Sequence, residues 1–147
     1  MSKHIAAFLL MVAVIKPGRA LDPCTSPNAA FTNLIQRSST NIRGLTTTPL
    51  SDRFITEGWY GQPNYKIPNS PPGINHCGTV YPIYLQGADP VAGPATLRTF
   101  CVKTAAGDCA YTIQIETKLC SNFLAYKLKR PPLGYAAYCV DEISGNY

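Results

Sequence analysis

Histidine is almost missing from this chain: two occur in 147 residues, His4 and His76. A serine triad would have to run through one of them, and no serine lies in a nucleophile-elbow motif. A zinc centre needs three or four nitrogen or thiolate ligands, which two histidines cannot supply. Acidic residues are few as well, eight in all. Asp141-Glu142 is the single adjacent pair; it lacks the spaced oxygen ligands of a calcium loop and reads as solvated. Nothing in the sequence pairs two carboxylates for glycoside hydrolysis. Beyond residue 20 no apolar run reaches the ~18 residues of a membrane span. These absences predict a protein that is not an enzyme, with no metal, no cofactor and no membrane anchor.

The one apolar run lies at the start. Lys3 gives a basic beginning, residues 5–15 are apolar, and Gly18 and Ala20 put small residues where a signal peptidase requires them. Residues 1–20 are therefore expected to be a secretory leader cut between Ala20 and Leu21, leaving residues 21–147 as a single exported domain. Lys3, Lys16 and Arg19 leave with it, so ten basic residues face eight acidic ones, a formal +2. The local cluster of Lys127, Lys129 and Arg130 is too small for a nucleic-acid footprint. No nucleic-acid partner is expected.

Six cysteines follow the leader: Cys24, Cys77, Cys101, Cys109, Cys120 and Cys139. An even set in a short exported chain reads as three disulfides, with fifteen connectivities open on spacing alone. Each bridge stabilises by about 2–4 kcal/mol, mainly by restricting the unfolded chain.

Between residues 21 and 35, Ser26 before Pro27 is a cap and first-turn pair. Ala29, Ala30, Phe31, Leu34 and Ile35 suit one face of a short helix. Residues 38–53 read as loop. Residues 54–60 carry β-formers, and residues 61–73 hold four prolines, which excludes a regular element there. Val80 to Leu85 is apolar on both faces, with Pro82 moving it toward an edge or a bulge. A strand over 97–103, a turn at 105–108 and a half-buried strand over 111–119 follow. Tyr111, Ile113, Ile115 and Leu119 form the inward face of that last strand. Residues 124–128 and 135–140 complete a mostly β, small α+β domain with an antiparallel sheet core, one short N-terminal helix and a long Pro-rich loop.

Asp22-Pro23-Cys24, Gly58-Trp59-Tyr60, Cys77-Gly78-Thr79, Pro82, Leu85, Gly87 and Asp89-Pro90 stand in an order that resembles the eight-cysteine extracellular domain of the uromodulin and pancreatic glycoprotein 2 family. The steps from Cys101 to Cys109 and to Cys120 continue the pattern. Tyr126-x-Leu128, Pro132 and Tyr138-Cys139 complete it. The resemblance implies the pairing Cys24–Cys120, Cys77–Cys139 and Cys101–Cys109. It also implies that two family bridges are gone as complete pairs. One would join the positions of Ser51 and Gly134. The other would join the position of Asp108 to one shortly before Cys77. In those relatives the domain resembles a decoy that offers N-linked glycans to bacterial adhesins. This chain has no Asn-x-Ser/Thr acceptor, so that mechanism is not carried over.

The function these readings imply is that of a secreted, non-enzymatic structural component of an extracellular matrix, the organic matrix of a mineralised tissue included. The alternative is a soluble recognition module for an extracellular protein or carbohydrate, used in defence or signalling. Its interaction loop would be residues 61–73, with Tyr65, Lys66 and Pro68 as contacts. Nine tyrosines supply amphipathic contact area. Tyr65 and Tyr147 are expected outside the core and the others at least partly inside.

Overall fold

The computed structural model describes residues 21–26 and 28–144. The leader with Ala20, the Pro27 of the expected helix cap, and Tyr147 lie outside the described residues. The elements in chain order are α1 (Leu34–Arg37), β1 (Gly58–Tyr60), β2 (Tyr65–Lys66), β3 (Tyr81–Leu85), β4 (Thr96–Thr104), β5 (Gly107–Leu119), β6 (Leu124–Leu128), β7 (Ala136–Tyr138) and β8 (Asp141–Glu142). The domain is mostly β. Six strands form one sheet in the order β1-β6-β5-β4-β3-β7, and β2 pairs with β8 in a second small sheet. Among the described strand pairs only β3–β7 is parallel, and an isolated parallel bridge joins Ala29 to Tyr60.

Period-two alternation puts one face of this sheet in the core. Phe100 pairs with Ile113 and Arg98 with Ile115, so Phe100, Val102, Ile113 and Ile115 share the inner face. Tyr126 and Leu128 of β6 and Tyr138 of β7 extend it. Phe100 lies between two tyrosines in edge-on contacts, 6.1 Å from Tyr126 and 6.4 Å from Tyr138. The Tyr138 hydroxyl donates to Lys129 O at 2.6 Å, and burial holds its phenol well above the ordinary pKa.

Four expectations are corrected. The N-terminal helix is not at 26–35. Ala29 donates to Trp59 O, Gly61 donates to Ala29 O, and Phe31 donates to the Gln62 side chain. Sideways pairing to the edge strand β1 takes up the hydrogen bonds a helix would have used, and only α1, four residues long, remains. Ile35 is 89% exposed. Pro82 does not push β3 to an edge, since the strand lies between β4 and β7. Tyr81 N and Ile83 O serve β7, so the missing Pro82 donor faces β4, beyond the last registered pair Ile83–Val102. Tyr111 and Tyr135 are exposed, at 46% and 56%. Tyr111 borders a register break opposite Val102 and Thr104, and the inward row of β5 becomes Ile113, Ile115 and Thr117. Tyr65, expected outside the core, packs against it.

Three disulfides join Cys24 to Cys120, Cys77 to Cys139 and Cys101 to Cys109, and no described cysteine is free. The first fastens the N-terminal segment to the end of β5. The second fastens the Cys77-Gly78-Thr79 turn to the chain after β7. Gly78 has φ +66°, and an added Cβ would come within 2.9 Å of Gln36 O, so this turn admits no side chain there. The third closes the β4–β5 hairpin. There Asp108, Cys109 and Ala110 face the single residue Lys103 across the register break.

Where the family resemblance implies a lost bridge between Ser51 and Gly134, polar contacts hold the two segments together. The Thr79 hydroxyl bonds Leu50 O at 2.7 Å and also Tyr135 O. Asp52 N donates to Ala136 O at 2.9 Å. An added Cβ on Gly134 would meet nothing closer than Arg53 Nη1 at 3.9 Å. No atom of Ser51 comes within 4 Å of a Cβ placed on Gly134, so the double variant Ser51→Cys/Gly134→Cys is expected to need backbone adjustment before it closes a bridge. Thiol titration and urea midpoints check this; spontaneous loss of both thiols with a raised midpoint would contradict it.

Candidate functional site

The sequence singled out residues 61–73 as an interaction loop; in the structure Pro63, Asn64, Asn69, Ser70 and Pro71 are exposed, whereas the named contacts Tyr65, Lys66 and Pro68 are half-buried or buried. Tyr65 and Lys66 form β2, paired with Glu142 and Asp141. Lys66 Nζ sits 2.6 Å from Asp89. Ile67 is fully buried, and its N–H donates to the Tyr126 hydroxyl at 3.0 Å. Pro68 is buried and accepts from Leu85 N. The prolines prevent a long strand but not a short one, and the buried Ile67-Pro68 pair draws that part of the segment into the core. Tyr65, Lys66 and Pro68 do not form an exposed contact set.

His76 lies near a serine and an aspartate, and the wiring is not catalytic. Its Nδ1 donates to the backbone oxygen of Ser39 at 2.6 Å. The Ser39 hydroxyl donates instead to Asp141 at 2.6 Å, and Ser39 N donates to the same carboxylate at 2.7 Å. A triad needs the hydroxyl on the imidazole and the carboxylate on its far nitrogen. Here Asp141 bypasses the ring, which also shows that Asp141 is a bonded strut between β8 and the 38–41 turn, not a solvated charge. Among the described residues no three His, Cys, Asp or Glu side chains are grouped to hold a metal. No described helix is long and apolar enough to cross a membrane.

Sequence reading missed a buried polar centre. Arg37, on α1, places Nη1 and Nη2 each 2.8 Å from one oxygen of Asp52, with both side chains almost wholly buried. Arg37 also donates to Thr32 O and Tyr138 O, and Asp52 accepts from Tyr138 N at 2.8 Å. This is a clamp joining α1, the loop before β1 and strand β7. The stretch around Arg37 has no periodicity that would have marked it.

The reading also missed a cleft on the outer face of the sheet. Trp59 alternates with Tyr60; Tyr60 packs on the core, so Trp59 faces out. One cross-strand row runs Trp59–Lys127–Glu116–Leu97 over β1, β6, β5 and β4. The segment held by Cys24–Cys120 rises beside it, where Asp22 pairs with Lys118 at 3.1 Å. The Cys24 backbone N–H, then the Lys118 ammonium, hold the Asp22 carboxyl below its usual pKa. Between that segment and the sheet lies a cleft of about 680 Å³ lined by Asp22, Asn28, Trp59, Glu116, Lys118 and Lys127. A smaller hollow of about 350 Å³, lined by Leu97 and Leu128, shares Gly58, Glu116 and Lys127 with it. The odd one out in the Gly-Trp-Tyr triplet, an indole opposite a core tyrosine, was the available signal.

A curtailed helix, a mostly antiparallel sheet and three bridges define a small disulfide-stabilised β domain of the extracellular kind. The family model for the uromodulin-like domain matches residues 59–140. The chain belongs to that family. It is similar to the pancreatic secretory granule membrane major glycoprotein GP2 of Rattus norvegicus, 27% identical over 132 residues, covering 84% of this chain and 24% of that protein. The GP2 of Canis lupus familiaris is 27% identical over 128 residues with the same coverage. The GP2 of Mus musculus is 29% identical over 92 residues, covering 57% of this chain and 17% of that protein. The chain thus spans at most about a quarter of the length of these relatives. Their names describe a major glycoprotein of the pancreatic secretory granule membrane.

Proposed function

We propose that this protein is a secreted, non-enzymatic structural component of an extracellular matrix, the organic matrix of a mineralised tissue included. The observation that carries this reading is the covalent lacing: bridges spanning 96, 62 and 8 residues tie the N-terminal segment, the central sheet and the C-terminal strands into one unit. Such a unit keeps its shape in an oxidising space where folding helpers are scarce. Near-balanced charge in residues 21–147 fits a framework element and not a nucleator of mineral. Sequential extraction of the tissue tests it. Peptides of this chain are expected in the fraction that resists salt and detergent; recovery from free fluid alone would count decisively against a matrix role.

The second reading, a recognition module for an extracellular protein or carbohydrate, is favoured by the Trp59 cleft. An outward indole among paired charges has no role in the core. This reading moves the contact surface from the Pro-rich segment to the sheet.

A further inference from the structure

We propose that the groove from Trp59 to Leu97 binds a neutral oligosaccharide, with the indole of Trp59 as the platform on which a pyranose ring stacks. The inference rests on the recognition reading above and deepens it by naming the ligand class and the residues.

Four observations converge. The first is size: a cleft of about 680 Å³ continues into a hollow of about 350 Å³. That is ample for a small organic ligand. Trp59 and Leu97 are three strand spacings apart in one row, roughly 14 Å, which suits a short chain of sugars better than one ring. The second is the platform. Trp59 is the sole tryptophan, it is half-buried on the outer face, and its indole N–H meets no protein acceptor among the described residues. A flat ring with a free donor at its edge matches the C–H face and rim hydroxyls of a pyranose.

Charge is the third. Lys118 pairs with Asp22 at 3.1 Å and Lys127 with Glu116 at 3.3 Å. Lys129 and Glu57 also line the hollow, so three cations meet three carboxylates along the groove, and it offers no net positive charge to a polyanion. Each paired group keeps further donors or acceptors for hydroxyls. An apolar peptide would bury these ion pairs without replacing their water, at a net cost. The fourth is the floor. β5 and β6 are interior strands whose backbones are already paired, and the outer side of edge strand β1 is taken by Ala29, which donates to Trp59 O and accepts from Gly61 N, so an extended peptide has no free strand edge here. Polyhydroxylated rings remain as the chemistry that satisfies both the indole and the charges.

Because the chain has one tryptophan, its fluorescence reports the groove directly. The secreted protein is screened on an array of neutral linear trisaccharides of glucose, galactose and N-acetylglucosamine. The strongest is then titrated while tryptophan emission is followed. A saturable emission shift is expected. Trp59→Ala, read by calorimetry, is expected to weaken binding by about tenfold or more. Ala95→Arg fills the cleft from an exposed position and spares the core. It is expected to weaken binding similarly with an unchanged melting temperature. Binding that both variants retain in full would sink the groove while leaving the recognition reading in place. Failure of every neutral sugar, or capture of acidic sugars alone with loss in salt, would overturn the inference; matrix retention, measured separately, judges the structural reading.

Discussion

Replacing Arg37 with leucine should remove about 3–5 kcal/mol of stability, enough to leave a marginal domain largely unfolded. The size of the effect follows from what remains behind. Asp52 would keep a buried carboxylate with the Tyr138 N–H as its remaining donor, in place of the two guanidinium nitrogens at 2.8 Å. The carbonyls of Thr32 and Tyr138 would each lose a charged donor. Asp52→Asn keeps the shape but strands the cation, and should cost a comparable amount. The pair Arg37→Leu/Asp52→Leu should cost less than the two single changes combined, because neither partner is left charged and alone. Urea midpoints at constant m-value measure this cycle. A loss below about 1 kcal/mol for Arg37→Leu would mean that the clamp contributes nothing net.

The second large effect separates the bridges. Loop-closure arguments assign about 4 kcal/mol to the bridge spanning 62 residues and about 2.5 kcal/mol to the one spanning 8. Cys77→Ala/Cys139→Ala should therefore destabilise well beyond Cys101→Ala/Cys109→Ala. Packing widens the gap. Cys77 and Cys139 are both fully buried, whereas Cys109 is exposed at the hairpin end. Cys139 N also donates to Ile83 O, so the longer bridge anchors the chain following β7 against β3. Chemical denaturation of the two double variants under oxidising conditions compares them. Equal losses, or a greater loss at the hairpin, would refute the ranking.

The clearest strands were legible because their patterns are local. Residues 124–128 were read to their observed bounds, and 97–103 and 111–119 to within a few residues, since alternation needs no knowledge of neighbours. The helix was misplaced for the opposite reason. Ser26, Ala29 and Phe31 carry helix-like signals, but Ala29 and Phe31 find partners in Trp59, Gly61 and Gln62 about thirty residues away. Tyr65 and Lys66 read as loop because two-residue strands have no period. Their partners, Asp141 and Glu142, lie at the far end of the chain.

Composition and alternation alone determined a mostly β domain and the want of a histidine-rich or acidic centre, because these depend on residue type and nearest neighbours. Tertiary structure decided that Arg37 meets Asp52, that the Ser39 hydroxyl goes to Asp141 instead of His76, and that Trp59, Glu116 and Lys127 share one outer face. Each of these depends on strand order and register. Long-range pairing sets both, and no local pattern encodes which distant segment will supply the partner.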